Sequence, residues 1–145
     1  MYGLASRVNN NGNIRRTTNL PPIASFTLMG WFMRMDQGGP AQDADMLTFG
    51  ETNTNDFYSI YFSETGADRV RVWNGIEEKI GATAWIAGLW YHLALTVAGT
   101  GTSQVTGYVN GALDVTANGN AVVVSPLGFS IMGHPTGGNT TNGKG

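Results

Sequence analysis

The chain has 145 residues, 41% of them hydrophobic and 12% charged, with a formal net charge of −2. That length suits one domain with its own core, and so little charge excludes a self-repelling disordered chain. Basic residues are scattered without a run, which argues against nucleic acid or an anionic membrane as partner, and the absence of cysteine removes disulfide scaffolds and thiolate metal sites.

No apolar run approaches the roughly 18 residues of a membrane span. The first segment, MYGLASRVNNNGNIRR, has no continuous apolar stretch and is not a signal peptide. An extracellular role would then need another route: a removed leader, a larger parent chain or assembly into a particle. No segment carries a helical apolar period with caps at both ends, whereas segments of period two recur throughout. The 21 glycines, with many Asn and Thr, suit short strands joined by tight turns.

In chain order, residues 4–8 and 14–18 read as short strands around the turn NNNGN. Adjacent prolines at Pro21 and Pro22 break the chain, since neither can donate to a ladder. SFTLMGWFMRM, residues 25–35, is the longest predicted strand, with Phe26, Leu28, Gly30 and Phe32 on one face and Thr27, Met29, Trp31 and Met33 on the other. DQGGPAQDAD, residues 36–45, reads as a loop, and MLTFGE, residues 46–51, as a strand. FYSIYFS places Tyr58, Ile60 and Phe62 opposite Phe57, Ser59 and Tyr61. RVRVW places Val70 and Val72 opposite Arg69, Arg71 and Trp73. Asn74-Gly75 and Asn110-Gly111 both carry the type I′ hairpin signal. Between them lie EEKIGATAWI, WYHLALTVAG and QVTGYV; ALDVT and SPLGFSIMG follow the second turn, ahead of a polar, turn-rich tail. Some ten to twelve short strands without a helix fall in the range of an antiparallel sandwich.

Four of these stretches, in order, resemble one family. They are FTLMGW at residues 26–31, WYHLALT at 90–96, YVNG at 108–111 and FSIMG at 129–133. Together they are similar to the laminin G-like, concanavalin A-like lectin and glucanase jelly roll, over about residues 25–138. The resemblance implies an all-β, two-sheet antiparallel sandwich, a single domain spanning residues 1–145, and work outside the cell or on a particle surface. Family members end with a further strand of acidic residues between apolar ones, and this chain stops at Gly145 where that strand would begin. As implied by the resemblance, the strand would lie beside an N-terminal one. Its absence would leave an edge open to strand donation or self-association; the alternative is that the chain is a fragment.

Glucanases of this architecture carry acidic residues alternating along one strand, because retaining hydrolysis needs two carboxyls about 5 Å apart. Asp43 and Asp45 have that spacing but fall in the predicted Gly/Pro loop, and Glu77 and Glu78 are adjacent and would point to opposite faces. The paired-carboxylate motif is therefore missing, and the chain reads as a non-catalytic binding module for glycan or a surface protein partner. The alternatives are a structural surface domain of an assembly, such as a virion decoration, fibre or adhesin part, and, less favoured, a glycoside hydrolase.

Trp90-Tyr91-His92 has the residue types of a site, but His92 lacks a nucleophile or fellow ligands and reads as locally hydrogen-bonded. Tyr61, Arg71 and Trp73 share a strand face, and Trp31, His92 and Tyr108 are expected on the corresponding face of neighbouring strands. Rings stack on the apolar faces of sugars and arginine donates to hydroxyls and carboxylates, so these six are the candidate ligand-binding residues; filling a second apolar layer is the plainer use of them. Asp36, Asp43, Asp45, Asn55 and Asp56 flank residues 46–51 and offer the oxygen atoms calcium takes, although Asp and Asn are also ordinary turn residues. Asn139-Thr140-Thr141 fits a glycosylation sequon, relevant only in a eukaryotic secretory route.

Overall fold

The period-two segments become strands in the computed structural model, which describes residues 14–16, 25–34, 43–50, 57–63, 68–98, 103–119 and 129–131. Ten strands run β1 (Ile14–Arg16), β2 (Phe26–Met33), β3 (Asp43–Gly50), β4 (Phe57–Ser63), β5 (Arg69–Trp73), β6 (Glu78–Ala84), β7 (Trp90–Ala98), β8 (Ser103–Val109), β9 (Ala112–Gly119) and β10 (Phe129–Ile131). They form a six-stranded sheet in the order β1-β10-β3-β4-β5-β6 and a four-stranded sheet in the order β2-β7-β8-β9. Every pairing is antiparallel. This is the all-β two-sheet sandwich expected from the strand pattern.

Alternation decides what the sheets enclose. Tyr91, Leu93, Leu95 and Val97 of β7 are buried, whereas the residues between them are partly exposed. Facing them across the core are Tyr58, Ile60 and Phe62 of β4 and Val70 and Val72 of β5. Trp85, just past β6, is almost wholly buried: its Nε1 donates to the Ser63 carbonyl at 3.2 Å, and its ring lies 5.4 Å from that of Phe62. The Arg34 guanidinium sits 4.7 Å above the same ring, so the indole satisfies a buried cation as well as the core. A Cβ on Gly107 would lie 2.7 Å from Val115 and 2.8 Å from Val72, so only glycine lets β8 approach the opposite sheet this closely.

One edge of the sandwich is stitched by a carboxylate. Gly107 pairs with Val115 and Tyr108 with Leu113, which leaves Asp114 as an extra residue on β9. Its Oδ1 accepts from the Thr83 backbone N–H at 2.8 Å and from the Thr83 hydroxyl, joining β9 to β6. A Cβ on Gly81 would collide with Asp114 Oδ2 at 1.8 Å, so the bridge needs glycine at that position.

Three expectations are corrected. The strand predicted at residues 46–51 begins earlier: Asp43 and Asp45 belong to β3 and pair in register with Ser63 and Tyr61. Cross-strand pairing overrides the poor strand preference of Asp, and a bulge between Asp45 and Leu47 absorbs the irregularity. The two Asn-Gly pairs also differ. Asn110 and Gly111 have φ of 51° and 81°, and Val109 pairs directly with Ala112, as a type I′ turn requires. In the other hairpin Trp73 pairs with Glu78, and of the dipeptide only Gly75 has positive φ. There the buried Asn74 side chain accepts from the N–H groups of Ile76 and Glu77 at 2.9 and 2.8 Å, which builds a longer Asx-type loop. Third, the faces holding the candidate binding residues are not one face, as described below. The expected strand at residues 4–8 and the sequon lie outside the described residues.

Candidate functional site

With Ile60 and Val72 turned into the core, Tyr61, Arg71 and Trp73 stand together on the outer face of the six-stranded sheet, as expected. The registers align two rows there: Thr48, Ser59, Trp73 and Glu78 in one, Asp45, Tyr61, Arg71 and Ile80 in the next. The Tyr61 hydroxyl donates to one oxygen of Glu78, and Arg71 Nη1 donates to the other in an ion pair. Tyr61 and Arg71 are nearly buried, at 5% and 6% exposure, whereas the Glu78 side chain keeps 32%. The cluster therefore presents a carboxylate to solvent from a fixed, buried base. Arg71 Nε is buried and has no hydrogen-bond partner, leaving one donor of the cluster unspent.

Beside this cluster the Phe57 and Trp73 rings stack with centroids 5.9 Å apart and planes 29° apart. Both side chains are half-buried, so the pair is held in place yet reachable. Below the rings the Thr48 and Ser59 hydroxyls bond each other at 3.2 Å, both fully buried. Arg69 is spent on the Gly81 and Ala82 carbonyls at 3.3 and 2.6 Å, so it holds β6 and is not a free donor.

Glu78 and Phe57 belong to this site and are not among the six candidate ligand-binding residues read from sequence. Glu78 was legible in principle. A four-residue loop after Trp73 puts it directly across the hairpin from that tryptophan, whereas the two-residue turn read from Asn74-Gly75 does not.

Trp31, His92 and Tyr108 lie on the outer face of the four-stranded sheet, on the far side of the core from Tyr61, Arg71 and Trp73. Period two reports whether a residue points inward or outward, but not which sheet it belongs to. Trp31 pairs with His92, their rings 5.3 Å apart. The His92 backbone N–H donates to Asn110 Oδ1 at 2.9 Å, and its carbonyl accepts from Asn110 N at 2.8 Å, so these local bonds are made by its main chain. Trp90, at the start of β7, is 51% exposed.

Of the five oxygen-bearing residues considered for calcium, Asp36, Asn55 and Asp56 lie outside the described residues, and Asp43 and Asp45 are strand residues of β3. Among the described residues no three His, Asp or Glu side chains group to hold a metal ion. Nor, among them, is any helix long and apolar enough to cross a membrane.

A laminin G-type family model, described as the concanavalin A-like lectin/glucanases superfamily, matches residues 8–144. Among solved structures, that of the alginate lyase Aly36B superposes with a TM-score of 0.59 at 11% identity, covering 95% of this chain and 72% of its own. The carbohydrate-binding module CBM66 from Bacillus subtilis superposes with a TM-score of 0.50 at 13% identity, covering 86% of each chain. At such identities the two structures share the fold with this chain. No curated protein matches it.

Proposed function

The chain belongs to the concanavalin A-like lectin/glucanases superfamily, and we propose that it is a non-catalytic glycan-recognition module whose binding face is the outer surface of the six-stranded sheet. The observation that carries this reading is the juxtaposition of the stacked Phe57–Trp73 pair with the Tyr61–Arg71–Glu78 cluster. A sugar offers an apolar ring face and a rim of hydroxyls. The indole of Trp73 suits the first. The part-exposed carboxylate of Glu78 accepts from the second. Buried bases hold these groups still, which lowers the ordering cost of binding. Both oxygens of Glu78 are engaged by Tyr61 and Arg71, which fixes the orientation of its carboxylate. The likeness to a structure titled as a carbohydrate-binding module agrees with this reading. Such a role belongs outside the cell or on a particle surface.

A glycan array followed by titration tests it: the wild type binds at least one glycan, and Trp73→Ala weakens that binding at least tenfold while the fold persists by circular dichroism. No glycan bound, or binding unchanged in Trp73→Ala, overturns it.

One observation favours a second reading, glycan cleavage. Asp43 and Asp45 alternate within a strand, with Asp45 opposite Tyr61 in register, which restores the acid-x-acid spacing that a loop would have denied. The likeness to a structure titled as an alginate lyase agrees with it. Release of shortened chains or new reducing ends from a bound glycan, abolished by Asp45→Asn, would establish cleavage in place of simple recognition.

A further inference from the structure

The outer face of the four-stranded sheet has a chemistry of its own. Large apolar side chains stand exposed on it: Met29 at 62%, Trp31 at 64% and Leu113 at 65%. Register lines Met29, Ala94, Tyr108 and Leu113 into one row across all four strands. Thr27, Thr96, Thr106 and Thr116 form the parallel row beside it. No Asp, Glu, Lys or Arg occupies an outward position of these rows, and Asp114, the one acidic residue of β9, turns aside to Thr83.

We infer that this face is the seat of a second copy of the chain, packed back to back on the four-stranded sheets. Three features select that occupant. Aromatic side chains and Met are enriched at the centre of protein interfaces and charged residues are depleted there, which is the composition of this face. An uncharged face meets its own copy without like-charge repulsion, so a two-fold axis can lay one Met29–Leu113 row against another. Four strands about 4.8 Å apart and about eight residues long give a flat footprint on the order of 500 Å² per copy before side-chain relief is added, so the pair clears the roughly 1,000 Å² of a specific interface. A glycan is the weaker fit: Met29, Ala94 and Leu113 offer no directional partner for sugar hydroxyls, and charged donors are wanting. Among the described residues of the two rows there is no Lys or Arg to engage an anionic polymer or membrane. The arrangement turns the two six-stranded faces outward in opposite directions, so two sites could engage one multivalent ligand; the pairing itself does not depend on what those sites bind.

Sedimentation velocity on the 145-residue chain, across a concentration series, tests the inference. The wild type sediments at twice the 15.4 kDa chain mass, and Met29→Glu and Leu113→Glu each sediment at the single-chain mass with unchanged circular dichroism. Because the chain has no cysteine, Met29→Cys and Leu113→Cys report the same contact without adding charge: mild oxidation of either, or of the two mixed, yields a disulfide-linked dimer. A wild type that stays single-chain at about 100 μM, a dimer indifferent to both charged variants, or an oligomer that none of the cysteine variants cross-links overturns it. So does a single-chain wild type retained on an insoluble neutral polysaccharide through Trp31, which would give the face to glycan.

Discussion

On the outer face of the six-stranded sheet Tyr61 and Arg71 are buried and paired with Glu78, whereas on the outer face of the four-stranded sheet Met29, Trp31 and Leu113 stand in solvent. The two faces share a backbone geometry and a core, yet they solve opposite problems. Arg71 can be buried because Glu78 and Tyr61 meet it, and because the stacked Phe57–Trp73 pair covers the adjoining row. Met29 and Leu113 have no such cover. A strand's alternation thus separates core from non-core, but the neighbours across the ladder decide whether the non-core side is a rigid polar site or a sticky plane.

The largest expected effect removes the support both faces share. Trp85→Ala empties a packed position between Phe62 and Arg34 and is expected to destabilise the domain by about 3–5 kcal/mol in chemical denaturation, with both faces lost together. If glycan binding or self-association survived at full strength, the faces would not depend on this core. Next comes Glu78→Gln, which keeps the shape but removes the partner charge from buried Arg71. About 1–3 kcal/mol of stability should go, together with glycan affinity, while the four-stranded face is unaffected. Asp114→Ala cuts the bridge from β9 to Thr83 and should lower the unfolding free energy by about 1–2 kcal/mol, with binding at the six-stranded face retained. Smallest is Met29→Glu, an exposed position: stability of the single chain should change by no more than about 0.5 kcal/mol.

Much of this was legible from residues. WYHLALTV, FYSIYFS and RVRVW carry a period of two, and Leu93, Leu95, Ile60 and Val72 are core on the face it predicts. The Asn110-Gly111 turn followed from the positive φ both its positions adopt. Asn74-Gly75 is the same dipeptide and misled, because the Asn74 side chain bonds two backbone N–H groups and makes a longer loop competitive. That slip hid Glu78, and with it the partner that explains how Arg71 is buried. Asp43 and Asp45 read as loop because they end the Gly- and Pro-containing stretch of residues 36–45; pairing with β4, invisible locally, recruits them. The six candidate ligand residues divided between two sheets because sheet membership depends on which strands pair, a long-range property absent from any single stretch.

The central claim is that glycan recognition belongs to the six-stranded face and not to the other. Parallel titration of one bound glycan into Trp73→Ala and Trp31→Ala tests this most directly, since both replace an aromatic side chain on an outer face. At least a tenfold loss is expected for Trp73→Ala and none for Trp31→Ala. Loss in Trp31→Ala with Trp73→Ala unchanged would contradict it.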